Sequence, residues 1–430
     1  MKKLLALCVS ALLMCSLTAC QNVETPSGGP ESGVSQTGET SGDAVVLCVE
    51  EDFRQNANEL IGYLSAMGVE TKYELLVLPS DPEEREPELT RLRTEIMAGE
   101  GPDAFLLDLV PTAYVDVPES LFTNVEKSMY SHLFLDLEDM VQESDMVDLE
   151  SCNQLVMDAG KTEEGRFLLP IRYTYPALAI EKSALSDPDF TFSSLEELLQ
   201  SSEETLKGQA FYLTFLDPSG YFGRPADYMG QNLLFTQEEF QSYLDKYLSL
   251  MELSQGVLEE GSPVVARGWI GNPFSAISGS DCVLFPMVNR TGGITASVSF
   301  CAAINRNTDH PEEAFDFIEL LLSQELQSGS GFKVNDRYYG SAFSYGDSSS
   351  HSIPVKAGAL QEFLSLSDEA ADQISQIEQR IDQVKFFSDL DWELYDFCGS
   401  YPRNAPAEMV EEWKAQIPQV FSTLEMILAE

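Results

Sequence analysis

The chain has 430 residues, which predicts two or three domains with well-filled cores. Hydrophobic residues make up 43 % and aromatics 10 %, which excludes wholesale disorder. Against 25 Lys and Arg stand 71 Asp and Glu, a formal net charge of −46, and no stretch gathers the basic stripe that nucleic acid or an anionic membrane face requires.

The amino terminus opens with Lys2 and Lys3 and then an apolar stretch from Leu4 to Leu17. A membrane-crossing helix needs about 20 apolar residues, so this shorter run reads as an export signal over residues 1–19. Leu17-Thr18-Ala19-Cys20 resembles the lipobox of bacterial lipoproteins, which implies cleavage before Cys20 and diacylation of its thiol. The alternative is an ordinary secretory signal whose apolar stretch contains a Cys. Residues 20–43 follow as the lipidated Cys and a tether of Ser, Gly, Thr, Pro and Glu, a coil expected to span roughly 25 to 30 Å. Losing the signal removes two Lys and no acid, so the exported form is more acidic still.

From Ala44 strands and helices alternate. Ala44–Val49 is a continuous apolar run, as in a parallel strand buried on both faces, and Glu50-Glu51-Asp52 follows as an acidic loop. A helix is expected over Asn58–Met67 and a second strand over Thr71–Leu78. A charged stretch with Pro82 and Pro87 leads into a helix whose Leu89, Leu92, Ile96 and Met97 share a face. Gly99, Gly101 and Pro102 end it, and Ala104–Leu109 is a third buried strand. This βαβαβ order predicts a parallel sheet with right-handed crossovers.

Further along, Ser193-Ser194-Leu195-Glu196 reads as a capping box. Ser297–Ile304 reads as a strand, and Asp309-His310-Pro311-Glu312 as the start of a helix capped by Asp309, with Pro311 at the first position. Ala314, Phe315, Ile318, Leu321 and Leu322 form its apolar stripe. Residues 328–350 read as loop and roughly the last 75 residues as mainly helical; no internal repeat is found. The only His are His132, His310 and His351, too scattered for HExxH zinc chemistry. Beyond Cys20 the five cysteines Cys48, Cys152, Cys282, Cys301 and Cys398 are odd in number and lack any CxxC, so neither a disulfide framework nor a metal site is expected. Cys48 and Cys301, inside apolar runs, are expected to be buried.

Four stretches, in order, resemble the extracellular solute-binding proteins of bacterial ABC importers, particularly the mostly carbohydrate-binding group (family 1). They are Glu95–Leu109 (EIMAGEGPDAFLLDL), Glu163–Leu185 (EEGRFLLPIRYTYPALAIEKSAL), the strand and helix from Ser297 to Gln327, and Ser352–Leu360 (SIPVKAGAL). The resemblance implies an α/β, two-lobed periplasmic-binding-protein-like fold (type II), each lobe a mainly parallel sheet flanked by helices. It implies an N-terminal lobe of residues 44–170 plus 292–335, a C-terminal lobe of residues 171–291 plus 336–430, and hinges near Leu168–Tyr173 and Gly292–Ala296. Function follows as expectation: a monomer held at the membrane by its lipid, taking a small solute, most readily a carbohydrate, and passing it to ABC permease subunits. No cofactor, no metal and no enzymatic step are implied. The chain departs from the family's pattern in Glu50-Glu51-Asp52-Phe53, where an aromatic, hydroxyl-rich loop is usual, and in lacking a Tyr-Phe-x-Gly pattern near its end.

Ligand contacts are sought in loops at strand carboxyl ends: Glu51 and Asp52 after the first strand, Asp108 ending the third, and Arg172, Tyr173 and Tyr175 at the crossing strand. Carboxylates accept paired sugar hydroxyls, and aromatic faces pack on pyranose C–H groups or on cations. Trp269, in a loop with Gly268, Gly271 and Pro273, is a candidate sugar platform, or else a lid over the second-lobe core. Asp103 reads as a turn-former. The acidic loop leaves room for a cationic solute such as a polyamine or basic peptide. A sensor or adhesin of the same fold, or a surface glycan hydrolase, are the alternative functions. Enzymatic motifs fail individually: Ala159-Gly160-Lys161-Thr162 lacks the first Gly of a P-loop, no GxSxG elbow exists, and Gly99-Glu100-Gly101 precedes a strand instead of a helix.

Overall fold

The computed structural model describes residues 44–109, 119–203, 206–207, 218–254, 264–267, 281–341, 352–402 and 405–429. The signal, Cys20, the tether and Trp269 lie outside these residues.

The opening βαβαβ is present: β1 (Ala44–Glu50), α1 (Arg54–Ala66), β2 (Lys72–Leu78), α2 (Pro82–Met97) and β3 (Ala104–Asp108). Both β2 and β3 pair with β1 in parallel. The expected acidic loop after β1 is instead a 3-10 turn, Glu51–Phe53, that runs straight into α1. Phe53 drives this: its ring is buried against Phe300, with centroids 5.1 Å apart. Helix α2 also begins earlier than expected and contains Pro87. Asp81 caps it by accepting the Glu83 N–H, and the buried Arg85 guanidinium anchors its first turn to Glu50 through two bonds of 2.8 and 2.9 Å.

Helices α3 (Val125–Tyr130) and α4 (Glu138–Glu143) precede β4 (Leu169–Thr174) and β5 (Ala177–Glu181). Then come α5 (Leu195–Gln200), α6 (Gln237–Ser254), β6 (Val264–Arg267), β7 (Cys282–Pro286), β8 (Ile294–Ile304), α7 (Pro311–Ile318) and β9 (Ile353–Pro354). The chain ends with α8 (Asp368–Glu378), β10 (Ile381–Phe386), α9 (Asp389–Gly399), α10 (Ala407–Lys414) and α11 (Ile417–Ala429).

The larger sheet has seven strands in the order β9-β4-β8-β3-β1-β2, with β10 also on β8. It is mixed: β8 is antiparallel to both β3 and β4 and parallel to β10. The reason is geometric, since the chain re-enters from beyond the carboxyl ends of β3 and β4 and must run back between them. All eleven residues of β8 are buried, as a central strand demands. The smaller sheet, β6-β5-β7, is antiparallel throughout, where a mainly parallel one was expected. The Lys182 N–H bonds the Asp281 carbonyl, so the excursion between them leaves and returns at one end of β5, and the returning strand runs antiparallel.

Two hydrophobic cores define two lobes. The first surrounds the larger sheet, with Leu47, Phe105, Phe300, Ile318 and Ile377 among its members. The second gathers Phe222, Phe240, Tyr243, Trp413 and Leu424 beside the smaller sheet. Residues from Ile353 to Phe386, expected with the second lobe, pack in the first core, and the second core takes over from Leu390. The smaller sheet lies between the cores, with Ala177, Ala179, Cys282 and Leu284 in the first and Leu178, Ile180 and Phe285 in the second, and beyond β10 the chain leaves the first core at Phe386 and enters the second at Leu390.

Local signals were displaced in several places. The α5 cap is Ser194 with Glu197, one residue after the expected box. At α7, Pro311 holds the first turn, but Asp309 supplies no cap; the preceding turn is closed by the His310 N–H on Thr308 Oγ1, 2.9 Å. The expected loop 328–350 contains a hairpin, Phe332–Val334 with Arg337–Tyr339, turned at Asn335 and Asp336 with φ of 48° and 64°. The expected helical tail contains β10.

Candidate functional site

Along one edge of β8 two strands meet end to end. Residues 300–304 of β8 pair with β3, whose last residue Asp108 faces Phe300; residues 294–298 pair with β10, whose last residue Phe386 faces Val298. The carboxyl ends of β3 and β10 thus converge on Ser299, whose carbonyl accepts the Leu109 N–H at 2.8 Å. Converging strand ends of this kind are where an open α/β sheet forms a crevice.

Phe387, the first residue beyond β10, begins an aromatic strip. Its ring lies edge-to-face with Trp392, centroids 5.2 Å apart, and Trp392 lies edge-to-face with Tyr395 at 5.8 Å. Helix α9 explains why: Leu390, Leu394 and Phe397 fill the second core, which turns Trp392 and Tyr395, one helical turn apart, to the other side. All three rings are half-buried, so part of each face meets solvent.

Beneath the strip lies a polar network joining the two cores. Lys385 of β10 and Asp391 of α9 form an ion pair at 2.7 Å with both side chains wholly buried. Ser219 bonds both partners, and the other Asp391 oxygen accepts the Ser388 N–H and hydroxyl at 2.7 and 2.8 Å, a capping box for α9. Alongside, Glu126 of α3 pairs with Arg224. Burial pushes the Glu126 carboxyl up to about 7 even against Arg224, with Asp391 and Asp227 adding to the rise. Burial likewise raises Asp389 to about 6, opposed by the Leu390 N–H and reinforced by Asp391. The site is thus a set of aromatic faces with carboxyls close by and no nucleophile among the described cysteines: all five are buried, and burial pushes the Cys48, Cys301 and Cys398 thiols far up.

The sequence-predicted residues fall in different places. Asp108 is half-buried at the crevice, as its position at a strand end implies. Glu51 is exposed and paired with Arg54 at 3.1 Å; Asp52 is exposed beside it. Arg172, Tyr173 and Tyr175 are each 2 % exposed or less and belong to the interior. The Arg172 guanidinium packs over the Phe363 ring at 4.6 Å and donates to the Ser352 carbonyl, and the Tyr173 hydroxyl donates to Glu378 at 2.6 Å. Their strand is covered by the segment from β9 to α8, which had been assigned to the other lobe. Asp103, expected as a turn-former, ties distant segments together: its carboxylate accepts the Val46 N–H at 2.7 Å and the Thr308 hydroxyl at 2.5 Å. Phe387, Trp392 and Tyr395 were missed. The available signal was Trp392 and Tyr395 standing off the Leu390/Leu394/Phe397 stripe, just after a strand.

Two hydrophobic cores around a mixed and an antiparallel sheet match the fold of the periplasmic and extracellular solute-binding proteins. Solved structures agree. The chain is similar to an extracellular solute-binding protein of family 1 from Alicyclobacillus acidocaldarius (TM-score 0.56, 13 % identity, 90 % of this chain and 98 % of that one). It is similar to the sugar-binding protein MalE of Xanthomonas citri (TM-score 0.57, 11 % identity, 90 % and 99 %). It also matches a de novo designed cysteine esterase, ECH19 (TM-score 0.59, 14 % identity, 90 % and 99 %). No protein-family model and no curated protein matches the chain.

Proposed function

We propose that this chain is the extracellular binding component of an ABC importer, which closes its lobes on a carbohydrate and presents it to a membrane permease. The observation that carries the reading is the half-exposed strip Phe387–Trp392–Tyr395 at the converging ends of β3 and β10. Stacked aromatic faces suit pyranose rings, and Asp108 and Asp389 stand at the same strand ends to accept hydroxyls. The likeness to the sugar-binding protein of Xanthomonas citri supports the same class. The esterase match does not transfer its chemistry, because every described cysteine is buried.

Residues 1–19 are proposed as the export signal and Cys20 as the lipidated residue, holding a monomer on the outer face of the membrane. Metabolic palmitate labelling should be lost in Cys20→Ala; labelling that persists refutes the anchor.

The ligand class is tested by thermal shift of the full chain against oligosaccharides, amino acids and polyamines. A ligand at 100 times its Kd stabilises the folded form by about 2.7 kcal/mol. An oligosaccharide should raise the Tm of the wild type and not of Trp392→Ala. A shift given only by polyamines, or an oligosaccharide shift that survives in Trp392→Ala, overturns the carbohydrate reading.

A further inference from the structure

The short segment from Thr123 to Tyr130 touches both cores at once. Its apolar side is rooted in the first through Val125 and Met129. Its polar side reaches the second: the Thr123 carbonyl accepts the Asp389 N–H at 3.2 Å, the Lys127 ammonium donates to the Leu428 carbonyl at 3.4 Å, and Glu126 pairs with Arg224. Arg224 lies between Phe222 and Ala226, both members of the second core, and its own N–H donates to the Gln383 side chain of β10 at 3.2 Å. Gly223, with φ of 81°, lets this turn lie against β10, because a Cβ there would run into the Gln383 amide.

Of these links, Glu126–Arg224 is the one that joins two charges, and it is lopsided. Glu126 is buried, whereas the Arg224 side chain is 38 % exposed. Parting the cores therefore returns the carboxyl to water and changes little for the guanidinium. The groups facing Glu126 are Arg224, Asp227 and Tyr228 from the second core's side and Asp391 of α9, itself paired with Lys385 of β10. Tyr130, on the same helix as Glu126, bonds Arg224, and Asp389 sits on the Thr123 carbonyl. Burial holds the Glu126 carboxyl at about 7 against the pull of Arg224, where a free carboxyl has 4.5.

We propose that Glu126 and Arg224 form a pH-sensitive clasp between the lobes, tight when Glu126 carries a proton and loosened when it is ionised. This rests on the reading of the lobes as bodies that part and close on a ligand. The sign follows from burial: the clasped form binds the proton more tightly than the parted form, so acid favours the clasp and raising the pH through 7 releases it. A neutral carboxyl still hydrogen-bonds Arg224, whereas an ionised one must be held out of water against the desolvation cost. With the carboxyl at about 7 when clasped and 4.5 when parted, the clasp weakens about 70-fold between pH 5 and pH 8.

The Arg224 N–H reports the clasp, because its acceptor lies across the interface on Gln383. Its hydrogen exchange is followed in the ligand-free full chain and corrected for the intrinsic rate at each pH. Protection should fall about 70-fold from pH 5 to pH 8. At both pH values this amide should exchange faster than those of β1, which marks parting of the lobes short of unfolding. Glu126→Gln keeps an acceptor for Arg224 but cannot ionise, so its protection should fall less than roughly tenfold, the remainder belonging to Asp389, which burial holds at about 6. Arg224→Gln should lower protection at least roughly tenfold at pH 8 and far less at pH 5, where a protonated carboxyl needs no cation; a purely structural role would lower it equally at both. Protection in the wild type that ignores pH, a fall that persists in full in Glu126→Gln, or protection equal to that of β1 overturns the proposal. The wild-type profile needs no variant to fold. Because no ligand is present, oligosaccharide stabilisation together with pH-independent exchange refutes the clasp and leaves the binding reading standing, and the opposite pair of results refutes the binding reading alone.

Discussion

Asp391→Ala isolates the polar network that joins the lobes. The substitution leaves the Lys385 ammonium wholly buried without its carboxylate and removes the acceptor for the Ser388 N–H and hydroxyl. Breaking one partner of a buried pair costs about 3 to 5 kcal/mol, and loss of the helix cap adds about 1 kcal/mol. A folded body of about 390 residues unfolding as one unit has an entropy near 0.8 kcal/mol/K, so a loss of about 4 to 6 kcal/mol lowers the Tm by about 5 to 7 °C. Differential scanning calorimetry reads this directly. The companion variant Lys385→Met/Asp391→Leu removes both charges and should recover most of the loss, since an apolar pair of similar volume carries no desolvation penalty. A single variant within 1 °C of wild type, or a double variant no more stable than the single, would refute the claim that the cost lies in the uncompensated charge.

Three further outcomes follow from local chemistry. Glu126 binds its proton more tightly folded than unfolded, so its contribution stabilises the fold below about pH 4.5 and is lost as pH rises to about 7. A rise of about 2.5 pH units corresponds to ~3 kcal/mol, so Glu126→Gln should lose less Tm than wild type between pH 5 and pH 8; parallel curves would contradict the assignment. The five described thiols should not react with a soluble disulfide reagent in the native protein and should all react in guanidinium, because each is buried. Asn305 is buried and donates to the carbonyls of Glu100 and Pro102, both at 3.0 Å, while accepting the Asn307 N–H at 3.1 Å. Asn305→Ala should cost about 1 to 3 kcal/mol in urea denaturation, the penalty for leaving these groups buried and unsatisfied.

The first half of the fold was legible because its signals are local and mutually consistent. Continuous apolar runs at Ala44–Val49 and Ala104–Leu109 can only be strands buried on both faces, and the Gly99–Pro102 punctuation stops the helix between them. Pattern failed where partners distant in sequence decide the outcome. Phe53 turns an acidic loop into helix because Phe300 covers it, and Arg85 lengthens α2 because Glu50 awaits it. The strand β10 was hidden in a helical tail, for its alternation of Ile381, Val384 and Phe386 is imperfect and becomes meaningful only beside β8. The same reason hides the surroundings of Arg172 and Tyr173, which stand near a strand end as expected while residues 353–378 fold over them.

The sequence by itself determined an acidic α/β body that opens with a parallel βαβαβ, because composition, apolar periodicity and strand order are properties of neighbours along the chain. Only the tertiary structure decided which segments share a core and that Phe387, Trp392 and Tyr395 line up beyond β10. Those depend on β8 accepting β3 and β10 end to end along one edge, pairings between residues roughly 200 and 90 positions apart that no local pattern encodes.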